Sequence, residues 1–299
     1  MGGTMTSIEN DFLKISTSEM GAELISIYDK EKMQDILWNG DPRFWKYHSP
    51  VLFPFVGRVN GGKYRHHGIE YFMPAQHGFA RTSRFTLCSR TEDSVTYALE
   101  SDAETEKIYP FQFRLEITYK LEVRNVRVLW NVINLSECHH MYFSIGAHPA
   151  FRLPIGPGRK KSDFFIHFEG TEEPRYILMD LKASAADPGR RYTMETDHGY
   201  VRIRDHMFDI DTYIFEKGQI EDISLCYPDR TPFVTVHCPH FPYFGIWSPS
   251  DEAPFVCLEP WFGRADDRGF DGGMSEKTGI QVLPPLSSFR ENYIIEVNE

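Results

Sequence analysis

Cysteine is scarce in this sequence and shows no pairing pattern. Cys88, Cys138, Cys226, Cys238 and Cys257 are odd in number, and no two are spaced as C-x-x-C. Most lie in apolar, strand-like runs, so they read as buried reduced thiols. That excludes a disulfide scaffold and fits an intracellular compartment. None has a convincing base near it in sequence, so a catalytic thiol is not expected. A run of about 18 apolar residues is also missing, which excludes a transmembrane helix. The opening residues hold no apolar core of the secretory kind, and a cytoplasmic location is the expectation. Basic charge is in deficit, with 32 Lys and Arg against 43 Asp and Glu and a net charge of −11. That argues against a nucleic-acid or anionic-membrane partner. It leaves open a small neutral substrate, or a phosphorylated one if a local basic pocket exists. Helical periodicity is scarce and no βαβ rhythm appears, which excludes a doubly wound fold. There is no strict repeat, no low-complexity stretch and no linker, so residues 1–299 are expected to form a single domain.

Aromatics, in contrast, make up 14% of the chain. They favour strands and also make platforms for sugars. The clearest strand covers residues 111–123. Phe111, Phe113, Leu115, Ile117, Tyr119, Leu121 and Val123 fall on one face, with Gln112, Arg114, Glu116, Thr118, Lys120 and Glu122 on the other. This strict period of two marks a half-buried antiparallel strand. Residues 126–135 are apolar on both faces apart from Arg127, Asn131 and Asn134, as a central strand would be. Further strands are expected at 22–28, 95–99, 164–168, 200–203, 212–215, 233–237, 243–247, 255–258 and 293–297. Asn60-Gly61 and His67-Gly68 read as hairpin turns. Residues 41–45 read as a loop with two exposed aromatics, Phe44 and Trp45, and residues 182–186 as one short helical turn. An all-β antiparallel sandwich of roughly fifteen to twenty strands, with few short helices, is the expected architecture.

Three stretches carry chemistry. His148 ends an apolar strand-like run just before Pro149, which can hold an imidazole rigidly at a cleft edge. His77 follows a turn-prone segment. For both, the alternative is a satisfied structural histidine. Glu259 follows the apolar run 255–258 and precedes Pro260-Trp261-Phe262, so partial burial is expected. Burial raises a carboxylate's proton affinity, which suits a general base. The alternative is a glutamate paired with Arg264 or Arg58. His139 and His140, beside Cys138, match no standard zinc spacing, and no metal is expected.

Three segments together resemble the aldose 1-epimerase (galactose mutarotase-like) family, and its LacX-like branch in particular. They are Pro50-Val51-Leu52-Phe53-Pro54-Phe55-Val56-Gly57-Arg58 leading to Gln76-His77-Gly78-Phe79-Ala80-Arg81, then Gly146-Ala147-His148-Pro149-Ala150-Phe151, then Cys257-Leu258-Glu259-Pro260-Trp261-Phe262-Gly263. The likeness runs in order over nearly the whole chain. It implies a large β-sandwich and mutarotation, the exchange of α and β anomers of a hexose without metal or organic cofactor. It implies Glu259 as base, His148 as acid and His77 as a hydrogen-bond partner of the ring oxygen. Arg58 would contact sugar hydroxyls and Asp211 would bind substrate, with Asp209 as its competitor. Trp247, Trp261 and Phe79 would wall the sugar. A hexose 6-phosphate is the alternative substrate, gripped by Arg81 or Arg58. A non-catalytic carbohydrate-binding sandwich is the alternative class.

Overall fold

The computed structural model describes residues 3–153 and 157–299. Among these residues lie twenty-five strands, one four-residue α-helix at Thr105–Ile108 and four short 3-10 turns. The strand number exceeds the expectation because several strands, such as Val51–Leu52, Ile145–Ala147 and Ala150–Arg152, span only two or three residues. Pieces that short carry no readable alternation.

Two large antiparallel sheets dominate. In the nine-stranded sheet the spatial order is Tyr200–Arg202, Phe165–Phe168, Asp222–Cys226, Pro232–His237, Ser288–Val297, Asn125–Asn134, Phe113–Glu122, Ser94–Glu100 and Thr86–Arg90. In the eight-stranded sheet it is Ala185–Thr193, Arg175–Asp180, Tyr213–Glu216, Tyr243–Trp247, Phe255–Phe262, Ile145–Ala147 and Val51–Leu52, with Ala150–Arg152 also paired to Phe255–Phe262. A four-stranded sheet begins the chain. Inward residues of both large sheets share one core. Phe53 lies 5.1 Å from Phe113 and Phe168 lies 5.3 Å from Phe215, ring centre to ring centre.

The long alternating strand forms as expected over Phe113–Glu122, with Phe113, Leu115, Ile117, Tyr119 and Leu121 buried. Val123 departs from the pattern: it is exposed with φ 59. The chain turns there so that buried Arg124 can reach Asp29 Oδ2, 3.2 Å away, and Glu31. The strand at Asn125–Asn134 is central, held between Phe113–Glu122 and Ser288–Val297.

Three local expectations fail. Residues 182–186 are not helical: a hairpin turn with Ser184 at φ 52 leads into the strand Ala185–Thr193. Asn60-Gly61 is not a hairpin turn. It starts a 3-10 turn whose Asn60 side chain donates to the carbonyls of Asp267 and Phe270. The hairpin lies one step on, at Lys63–His66 and Ile69–Phe72, and turns through His67 and Gly68, both at positive φ. Finally, Phe44 and Trp45 are half-buried rather than exposed. The thiols divide as well, with Cys226, Cys238 and Cys257 buried and Cys88 and Cys138 exposed, all unpaired.

The strand Phe255–Phe262 is buried along its entire length. Its alternate residues Val256, Leu258 and Phe262 enter the core between the sheets. A period of two sends Phe255, Cys257, Glu259 and Trp261 to the other face, and a cavity lies there.

Candidate active site

The cavity measures about 560 Å3, within the usual range for small-molecule sites. Trp45, His77, Arg81, His148, Asp209, Asp211, Trp247, Glu259 and Trp261 all contribute to its wall.

Strand register sets its centre. Gly146 pairs with Trp261, and Ala150 pairs with Cys257. Continued through the break at Pro149, that register puts His148 opposite Glu259. His148 Nε2 lies 3.3 Å from Glu259 Oε2. On its other side Glu259 pairs with Gly245, whose missing side chain admits Trp261. A Cβ on Gly245 would lie 2.3 Å from Trp261 Cη2, and one on Gly146 would lie 2.5 Å from Trp261 Cδ1. Two backbones are therefore bare where the indole lies across them, and the Trp261 N–H donates to Ala147 O at 3.2 Å.

The imidazole of His148 is boxed by rings. Trp45 lies tilted against it at 4.6 Å, Trp247 is edge-on at 5.6 Å and His77 is edge-on at 5.4 Å. Its Nδ1 has no hydrogen-bond partner among the described residues. Trp45 is anchored from below, since the Trp38 indole N–H donates to Trp45 O at 2.8 Å.

His77 has a positive φ of 68. It is locked to Gly57 by two hydrogen bonds: the His77 N–H donates to Gly57 O at 2.7 Å, and the Gly57 N–H donates to His77 Nδ1 at 3.0 Å. Nδ1 is thus the acceptor, and the ring proton of the neutral form sits on Nε2.

Electrostatics follow from burial. Desolvation pushes Glu259 well above the usual carboxylate range; the Trp261 indole pulls against that and the charge of Asp211 adds to it. Desolvation, with help from Arg81, pushes His148 down to about 3. Desolvation lowers His77 as well, with His148, Arg81 and Arg58 contributing. Each shift favours the uncharged form. Burial therefore favours a pair made of a protonated Glu259 and a neutral His148. Moving that one proton to the imidazole makes a glutamate base and an imidazolium acid 3.3 Å apart.

Arg81 lines the cavity, stacks over the Tyr47 ring at 4.7 Å and donates to Gln76 O at 2.8 Å. It makes no ion pair with a carboxylate among the described residues. Arg58 is exposed and outside the cavity wall, close enough for its charge to act on His77 and Arg81. Arg264 pairs with Glu216 and Asp267, so it is not the partner of Glu259. Asp211 and Asp209 both reach the wall, but Asp209 is engaged by His206 Nδ1 at 3.0 Å. Phe79, expected as a wall, packs instead in the core against Phe53 and Tyr109. Sequence reasoning missed Trp45, Tyr47 and Gly57. The only available signal was the density of aromatics at 44–47. Among the described residues two side-chain groups could hold a cation, namely His148 with Cys257 and Glu259, and the more exposed His206 with Asp209 and Asp251. Among the described residues no helix is long and apolar enough to cross a membrane.

Comparison with known proteins identifies the family. The aldose 1-epimerase family model matches residues 4–269. The chromosomal protein LacX of Lactococcus lactis is 28% identical over 97% of this chain and 98% of its own. A galactose mutarotase related enzyme from Lactobacillus acidophilus superposes with a TM-score of 0.93 at 32% identity, covering 99% of this chain and 98% of its own. A galactose mutarotase-like protein from Lactobacillus casei gives 0.89 at 28% identity, covering 99% of this chain and all of its own. The chain therefore belongs to the aldose 1-epimerase family and is an isomerase of the mutarotase type.

Proposed function

We propose that the protein interconverts the α and β anomers of a free hexose, with Glu259 and His148 exchanging protons with the sugar. Glu259 as carboxylate takes the proton from the anomeric hydroxyl. The C1–O5 bond breaks, its electron pair goes to the ring oxygen, and that oxygen takes the proton from the His148 imidazolium. A C1 aldehyde results. Rotation about C1–C2 presents its other face, and the reverse transfers close the ring. After opening, the pair stands as neutral Glu259 and neutral His148, the form that burial favours. The proton count of the pair is one throughout, so no external acid or base is needed. His77 Nε2–H donates to the ring oxygen. Asp211 accepts from sugar hydroxyls, and Arg58 donates to them from the rim. Trp247 and Trp261 cover the apolar face of the ring.

The observation that carries this reading is the 3.3 Å contact between two buried, oppositely shifted groups on one cavity wall. A second reading has one specific observation behind it. Arg81 reaches the cavity without a carboxylate partner and Arg58 lies beside it, a setting that suits a hexose phosphate. Polarimetry of freshly dissolved α-D-glucose and α-D-galactose, with NMR exchange for glucose 6-phosphate, tests both. Faster equilibration of the free sugars is expected. Acceleration of the phosphorylated sugar alone would move the assignment to the second reading, and acceleration of none would refute both.

A further inference from the structure

We propose that His148, Cys257 and Glu259 form a binding site for a thiophilic divalent cation such as Zn2+, entered from the sugar cavity and blocking turnover when filled. Cys257 and Glu259 are two apart on one strand and therefore share a face. The register that sets His148 opposite Glu259 also pairs Cys257 with Ala150, two residues on. One ligand atom from each of the three residues lies within 4.8 Å of the other two. All three residues are buried.

The donor set is one imidazole, one thiol and one carboxyl, and zinc accepts all three. One edge already fits. Zinc bonds of about 2.0–2.2 Å at a tetrahedral angle require an N···O separation of about 3.3–3.4 Å, and His148 Nε2 lies 3.3 Å from Glu259 Oε2. The thiol edges lie within 4.8 Å and would have to close on binding. His148 and Glu259 face the cavity, so the fourth position opens to water or a sugar hydroxyl. Three protein ligands with one open position is the usual composition of an accessible zinc site. On binding, the thiol and carboxyl protons leave to bulk water, and the two anions neutralise the ion. The ion then holds both groups that would move protons for the sugar.

Co2+ serves as the spectroscopic probe. The full chain carrying Cys88→Ser and Cys138→Ser removes the two exposed thiols, and Co2+ is titrated into it. One equivalent is expected to give the visible bands of tetrahedral cobalt and a thiolate-to-cobalt charge-transfer band. Adding Cys257→Ser or, separately, Cys257→Ala should remove the charge-transfer band and weaken binding by about 100-fold or more. Thermal melting of each variant shows that it is folded. A charge-transfer band that survives both substitutions, or its absence at millimolar Co2+ in the parent, overturns the proposal. So does binding that Asp251→Asn abolishes and Cys257→Ser spares, which would place the ion at His206. In the mutarotation assay, Zn2+ should slow the parent reversibly by chelation, and Cys257→Ser should need at least about tenfold more Zn2+, relative to its own metal-free rate, for the same inhibition. The inhibition arm rests on the catalytic reading. The cobalt spectrum does not, so a wrong substrate assignment and a wrong cation site give different results.

Discussion

Replacing Glu259 by glutamine separates proton transfer from everything else the residue does. The amide fills the same space beside Trp261, His148 and Gly245, so the cavity keeps its shape. It cannot accept a proton at neutral pH. A positioned acid–base group is worth about 10²–10⁴ in rate, or roughly 2.7–5.4 kcal/mol at about 1.36 kcal/mol per tenfold. Asp211, the next carboxylate on the wall, is not opposite His148 and cannot restore the pair. Polarimetry should therefore show kcat lowered by 100-fold or more, with KM changed little because Arg81, Asp211 and the tryptophans stay in place. A variant within threefold of the parent rate would refute Glu259 as the base. Stability supplies an independent sign. Burial raises the carboxyl of Glu259 in the fold above its ordinary value of 4.5. Its contribution is thus intact below pH 4.5 and is lost as pH rises toward the folded value. Glutamine does not titrate. Thermal melting should then find Glu259→Gln gaining on the parent as pH rises above 4.5, by at most about 1.4 kcal/mol per pH unit until the folded carboxyl ionises. A relative loss over that interval would show that the buried carboxyl is ionised after all.

The pH profile of the parent is expected to pass through pH ~6.5, the reference pKa of histidine, without inflection. Burial pushes His148 down to about 3, so its own titration falls well below that pH. A half-loss of rate centred near 6.5 would contradict this. Gly245→Ala places a Cβ 2.3 Å from Trp261 Cη2, so the indole must lift from the cavity floor. A loss of about 1–3 kcal/mol in denaturant melts and a raised KM are expected, and an unchanged KM would free Trp261 of its role against the sugar. Lys277→Ala strands buried Asp266, whose Oδ1 accepts from Lys277 Nζ at 2.5 Å. A cost of about 3–5 kcal/mol is expected. A cost below about 1 kcal/mol would mean that the backbone N–H of Asn60, which donates to Asp266 Oδ2, satisfies it alone.

Where a residue's place follows from its own strand, the sequence shows it. The alternation at 113–122 names its buried face directly, and the apolar run before Glu259 announces a carboxyl below the surface. Where a place depends on distant chain, local pattern is silent. Val123 completes the alternation in sequence, yet Arg124's reach to Asp29 turns it out to solvent. Trp45 sits in a loop with no period at all. It meets His148 only because Trp38 and the register of residues 145–152 bring the loop over the cavity. Gly57 likewise looks like a turn residue, and nothing nearby in sequence says that its N–H fixes the tautomer of His77. The resemblance to the family supplied the partners of Glu259, because it compares whole sites rather than segments.

The same register explains why the acid and base are on strands while their aromatic cover comes partly from a loop. A proton passing between two side chains and a sugar needs the two groups fixed to within a fraction of an ångström, and adjacent strands of one sheet provide that. Glu259 is held from both sides, by Gly245 and by the 145–152 segment, within a strand that has no exposed residue. Burial on this scale favours the neutral pair, the form left after ring opening, so proton transfer through the sugar runs toward the state that burial prefers. The sugar needs only to arrive with its hydroxyl and ring oxygen facing the two groups for the proton to be exchanged. A site open to water would stabilise the ionised carboxylate, which would have to be desolvated on every turnover. The rings of Trp45 and Trp247 against His148 therefore act on the proton as much as on the sugar, since they keep the imidazole dry.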